Sequence, residues 1–122
     1  MKVYVKSALD NSNIPDENKN GDCFKVAFEA LTRNHNTGYL VHGVVTGRGA
    51  IEGLQYAHAW VEDAGEVFDN TLPDGLKQLP KEVYYGLANV VLTRKYNFKQ
   101  ALENAVSTET YGPWDNVFDN YY

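Results

Sequence analysis

The stretch AHAWVEDAGEVFDNT, residues 57–71, decides how this chain folds. Residues 57–62 and 66–71 read as consecutive strands, each alternating or β-rich, and Asp63, Ala64 and Gly65 between them predict a tight hairpin. Loop length then sets the register. With Ala64 and Gly65 as a two-residue turn, Asp63 faces Glu66, Trp60 faces Asp69 and His58 faces Thr71. Side chains alternate along a strand, so His58, Trp60, Asp69 and Thr71 share one face of the sheet. His58 and Asp69 become diagonal neighbours, about 7–8 Å apart between Cα atoms. A four-residue loop over 62–65 sets them directly opposite. A three-residue loop brings Asn70 into register instead.

Upstream of the hairpin, residues 39–46 read as a β-branched strand, followed by a connection containing Gly47, Gly49 and Gly53. Before that strand, Phe24, Ala27, Phe28 and Leu31 fall at i, i+3, i+4 and i+7, one face of a helix. Asp22 is its expected N-cap, which sets Cys23 at the first helical position, and the polar run 32–37 with Gly38 ends it. Residues 10–22 read as a loop, and Val3, Tyr4 and Val5 as a short first strand. Downstream, residues 72–86 carry two prolines and two glycines and read mostly as loop, and 89–93 as a strand. Phe98, Ala101, Leu102 and Ala105 return to helical spacing, with Asn97 and Gln100 placed as a capping box. The aromatic tail YGPWDNVFDNYY is expected to pack back on the body. Helix, antiparallel strands, then helix is an α+β order.

Composition narrows the function classes. The 122 residues suit a single domain, with 43% hydrophobic and 22% charged residues. A net charge of −5 argues against a general nucleic-acid binder, which needs basic surface to neutralise phosphates. The lone cysteine excludes an internal disulfide and fits a reducing compartment. No apolar run has membrane-spanning length and the N-terminus lacks a signal-peptide core, so the expected location is cytoplasmic. Nine tyrosines, five phenylalanines and two tryptophans suit strands and a pocket rim.

Cys23 is the candidate nucleophile. The first amides of a helix are unpaired and its dipole is positive there, which favours a thiolate, and the residue sits beside the apolar stripe rather than within it. Among the histidines, His35 lies in a polar turn and reads as a solvated surface residue. His42 reads as a satisfied histidine in mid-strand. His58, at a strand start between Ala57 and Ala59, has room for another group to reach its ring and is the candidate base. Asp69 can fix its tautomer and leave the second nitrogen for the thiol. Trp60 and Trp114 read as packing residues, and Trp60, which shares the face of His58, is also placed to wall the site. Zinc is disfavoured, since Cys23, His35, His42 and His58 lack metal-ligand spacing. Glu52, Glu62 and Glu66 read as solvated charges.

The pieces GDCFKVAFEAL (21–31) and AHAWVEDAGEVFDNT resemble the compact papain-like cysteine hydrolases, a group that includes NlpC-type peptidases and transglutaminase-like enzymes. YYGL (84–87), NFKQALENAV (97–106) and YGPWD (111–115) are similar to small uncharacterised phage and bacterial proteins of that type. The resemblance implies a single papain-like domain over residues 1–122, with a Cys-bearing helix packed on a small antiparallel sheet and a C-terminal helix. It implies a thiol hydrolase acting on an amide or peptide C–N bond, with Cys23, His58 and Asp69 as nucleophile, base and orienting acid. Asn20, Asn18 or the Cys23 amide takes the oxyanion role, Asp22 and Trp60 flank the substrate, and Asn70 stands where that group often has proline. The expected partner is a peptide or protein substrate, with no cofactor, metal, nucleic acid or membrane, in the host cytoplasm if phage-encoded. The alternative is a non-catalytic phage protein that uses the same scaffold to bind and inhibit a host protein.

Overall fold

A computed structural model describes residues 22–47 and 52–121. The expected strand at 3–5, most of the expected loop, and Asn18 and Asn20 lie outside the described residues. Helix α1 (Asp22–Asn34) buries Phe24, Ala27 and Leu31 of the expected stripe and leaves Phe28 half-buried; Ala30 and Cys23 join the buried face, so Cys23 lies within it rather than beside it. Asp22 stands inside the first turn of α1 rather than flanking it as the N-cap. There its carboxylate meets the positive end of the helix.

The strands are β1 (Tyr39–Thr46), β2 (Gln55–Asp63), β3 (Glu66–Phe68), β4 (Gln78–Pro80) and β5 (Leu92–Asn97), with α2 (Lys81–Ala88) before β5 and α3 (Phe98–Thr108) after it. They form one antiparallel sheet in the order β4-β3-β2-β1-β5, so the fold class is α+β. Residues 72–86 are therefore not mostly loop. Pro80 ends β4 and flanks α2, a position where its missing amide does no harm, and Gly86 lies inside α2 with open space around it. The strand expected at 89–93 starts later, at Leu92, because Asn89 takes a left-handed conformation and closes α2. The capping box is present at α3: Asn97 Oδ1 accepts from the Gln100 amide at 2.8 Å and Gln100 Oε1 from the Asn97 amide at 2.9 Å.

The hairpin has the two-residue turn. Asp63 pairs with Glu66 and Val61 with Phe68. Ala64 and Gly65 take φ of 53° and 80°, the all-positive geometry whose twist matches two antiparallel strands. The sheet buries both faces. Ala57, Ala59 and Val61 of β2 and Leu40 and Val44 of β1 pack under α1, while Trp60, Val41 and Val45 pack with Val67, Leu72, Tyr84 and Ala88 on the α2 side. Gly43 is the residue that lets Trp60 lie flat across β1, since a Cβ there would stand 2.4 Å from the indole Cη2.

The tail does pack back. Arg94 Nε donates to Asp115 Oδ2 at 2.9 Å, Trp114 stands edge-on to Tyr96 with 5.0 Å between ring centroids, and Phe118 is fully buried. Tyr121 ends the run, its carbonyl accepting from the Ala57 amide at 2.7 Å. Among the described residues, no helix is long and apolar enough to cross a membrane.

Candidate active site around His58

β3 pairs only with the last residues of β2, so the first half of β2 has no strand neighbour on that side among the described residues. The chain leaving β3 turns there instead. The Asp69 amide donates to the Lys77 carbonyl at 2.8 Å and the Leu72 amide to the Asp69 carbonyl at 3.1 Å, a turn that aims the Asp69 carboxylate back at β2. His58 Nε2 and Asp69 Oδ2 meet at 2.8 Å. The expected pair is formed, but not by strand pairing: β3 ends at Phe68 rather than Thr71, the turn after it carries Asp69 to His58, and Asn70 stays exposed.

Asp69 is held by every lone pair it offers. Oδ1 accepts from the Thr71 amide at 3.1 Å and the Thr71 hydroxyl at 2.6 Å; Oδ2 accepts from His58 and from the Tyr84 hydroxyl at 2.7 Å. Burial opposes its charge, yet His58, Thr71 and Tyr84 together hold the carboxyl below its ordinary range. An ionised Asp69 has no proton to give, so Nε2 donates and Nδ1 is left for a second partner. The other group that acts on this ring is Cys23. Burial disfavours charge on His58, but Asp69 and the Cys23 sulfur, by charge and by hydrogen bonding, outweigh it and raise the imidazole to about 10. Cys23, His58 and Asp69 are only 8%, 5% and 2% exposed, so the three groups meet in a nearly dry environment where such interactions are strong.

Trp60 packs in the core, so it does not flank a substrate. It is fully buried, with its ring 6.1 Å from that of His58 and its Nε1 donating to Glu62 Oε2 at 3.0 Å. Glu62, expected in solvent, is buried. It collects Trp60, the Tyr85 hydroxyl, Lys95 Nζ at 2.9 Å and Lys81 Nζ at 3.5 Å, and these donors and charges hold its carboxyl low against the effect of burial. His35 is not a free surface ring either: it stacks on Phe68 at 4.1 Å, and its Nδ1 stands 3.5 Å from Asp63 Oδ2.

His42 departs furthest from its sequence reading. It is buried, but neither ring nitrogen has a hydrogen-bond partner among the described residues. Phe24, Tyr96 and Trp114 box the ring at 4.9, 5.1 and 4.9 Å between centroids, and a Cβ on Gly112 would stand 2.5 Å from its Cε1. Burial lowers this imidazole to about 3, so it is neutral at physiological pH.

Tyr84 is the site residue the sequence reading missed. Its position in YYGL carried no chemical signal, although Tyr84, Leu87 and Ala88 have the i, i+3, i+4 spacing of a helix face. Among the described residues, no group of three or more His, Cys, Asp or Glu side chains is placed to hold a metal ion. No protein-family model matches the chain, and no curated protein or solved structure matches it either.

Proposed function

We propose that the protein is a papain-like thiol hydrolase acting on an amide or peptide C–N bond. The supporting observation is the buried 2.8 Å contact between His58 Nε2 and Asp69 Oδ2, with the Cys23 thiol acting on the same ring. Nucleophile, base and orienter in this arrangement are what thiol acyl transfer requires. His58 Nδ1 takes the thiol proton. The Cys23 sulfur adds to the carbonyl carbon, and the oxyanion forms near the start of α1, where the Cys23 amide and its neighbours lack intrahelical acceptors. The intermediate collapses as His58 returns the proton to the leaving nitrogen, which gives a thioester and a free amine. Water then attacks the thioester, His58 accepts its proton, and the acid and the thiol are released. Asp69 keeps Nε2–H pointed away from the sulfur throughout.

The experiment is alkylation by iodoacetamide near pH 6, read by mass spectrometry, followed by a panel of fluorogenic peptide amides at pH 7, with Cys23→Ala as the blank. The proposal expects Cys23 to react far faster than free cysteine, because a nucleophile paired with its base is activated where a lone thiol is not. A rate at or below that of free cysteine sinks it. Such a result favours the second reading, a binding protein on the same scaffold, which the near-complete burial of Cys23 and His58 supports.

A further inference from the structure

The Tyr84 hydroxyl and His58 Nε2 converge on one oxygen, Asp69 Oδ2, at 2.7 and 2.8 Å. We infer that Tyr84 is a positioning residue that sets how tightly His58 holds its proton, acting through the oxygen they share. Its catalytic consequence rests on the proposed hydrolase function; its direct readout, the protonation of an imidazole, does not.

A carboxylate oxygen offers two in-plane acceptor sites. Oδ1 spends both on Thr71, and Oδ2 divides its pair between His58 and Tyr84. The carboxylate therefore cannot rotate to a better arrangement; any turn breaks a bond in a buried place. The phenol supports the negative oxygen whether or not the imidazole carries charge. It thereby narrows the energy difference between the two states of His58. Without the hydroxyl, Asp69 leans on the imidazolium alone and the ring keeps its proton more tightly. An imidazolium that releases its proton too reluctantly is a poor acid for a leaving amine.

The surroundings suit this role. Tyr84 is buried on α2, its ring 5.1 Å from that of Trp60, which is itself fully buried, so the hydroxyl has a fixed approach. Burial and then Asp69 push the phenol's own ionisation well above its ordinary value, which keeps it a donor. The other titratable groups facing His58 are Cys23 from α1, Asp69 beyond β3 and Tyr56 on β2 itself, whose ring stands 6.3 Å away.

The test follows the His58 Cε1 resonance from pH 6 to 11 in the full chain, using ¹³C-labelled histidine. The variants are Tyr84→Phe, Asp69→Asn, the double variant, and 3-fluorotyrosine incorporated at position 84. Tyr84→Phe is expected to raise the His58 midpoint by about half a pH unit, roughly threefold in proton affinity. The more acidic fluorophenol is expected to lower it. In the Asp69→Asn background, Tyr84→Phe is expected to change nothing. An unmoved midpoint in Tyr84→Phe, shifts of the same sign for both replacements, or a shift that survives Asp69→Asn overturns the inference. Should Tyr84→Phe fail to fold, the fluorotyrosine protein decides alone, and a midpoint that does not fall overturns it. Slow Cys23 alkylation together with the expected shifts sinks the hydrolase reading and leaves this one standing; fast alkylation without the shifts does the reverse.

Discussion

Replacing His42 with leucine is expected to protect the protein against acid without weakening it near neutrality. In the unfolded chain this ring takes a proton below its ordinary value of 6.5, whereas in the fold burial keeps it neutral down to about 3. Acid therefore favours the unfolded chain: the His42 contribution is complete above 6.5 and is lost as the pH falls toward 3. At up to about 1.4 kcal/mol per pH unit, and with the unfolded ring already half-protonated at 6.5, the His42 contribution falls by about 1.7 kcal/mol between pH 6.5 and pH 5. Asp69 and Glu62 are held below the ordinary carboxylate range, so their losses come later, below about pH 4. His58 runs the other way. Its value is raised to about 10, so its contribution is complete below 6.5 and is lost as the pH rises toward 10. The two histidines together place the stability maximum near pH 6.5. At that pH, leucine removes an unpaired donor and acceptor, worth about 1–3 kcal/mol, and forfeits aromatic edge contacts worth about 0.5–1.5 kcal/mol each, so the two effects nearly cancel. Urea unfolding of both proteins at pH 6.5 and pH 5 measures the difference. Equal acid losses in the two proteins, or a loss above about 1 kcal/mol on substitution at pH 6.5, would refute the reasoning.

Asp69→Asn is expected to slow Cys23 alkylation at least about tenfold, equivalent to about 1.4 kcal/mol of barrier. Because an amide nitrogen must then face a donor, it should also cost about 1–3 kcal/mol of stability in a thermal melt. Cys23→Ala is expected to abolish labelling while lowering stability by less than about 2 kcal/mol, since it removes one small sulfur at the end of the stripe; a larger loss points to a purely structural cysteine. Gly43→Ala is expected to destabilise by about 1–3 kcal/mol in urea, because its methyl meets the Trp60 ring and, at 3.1 Å, the Leu92 carbonyl. Ala64→Gly should gain about 0.5–1 kcal/mol by relieving a positive φ, and an unchanged urea midpoint contradicts that.

The hairpin was legible because alternation and Gly65 specify a register locally, but the strand 66–71 stops at Phe68 and a turn held by Lys77 completes the approach of Asp69 to His58. Helix α1 was legible for the same kind of reason, a stripe at helical spacing. The segment from Leu72 to Asn97 was not. Pro80 and Gly86 read as breakers, yet one flanks α2 and the other is tolerated within it, where tertiary burial of Tyr84 and Ala88 outweighs local propensity. The Tyr84 bond to Asp69 joins residues whose neighbours in sequence say nothing of each other. The apolar surroundings of His42 were hidden because Trp114 and Gly112, which close the box, come from the tail. Glu62 looked like an ordinary surface charge because its lysines arrive from α2 and β5.

The chain has two tryptophans, and each lies against one of the two unusual histidines: Trp60 with its ring 6.1 Å from His58, Trp114 4.9 Å from His42. A charged imidazole beside an indole quenches its emission, whereas a neutral one does so far less. The protein thus carries two built-in optical probes with opposite set points. Trp114, facing a ring that burial keeps uncharged, is expected to be bright at neutral pH, and Trp60, facing a charged one, to be dim. With Trp60 replaced by phenylalanine, emission tracks the ring at His42 as acid is added; with Trp114 replaced, it tracks the ring at His58 as base is added. The protonation of each can be followed by steady-state light, with no label and no substrate.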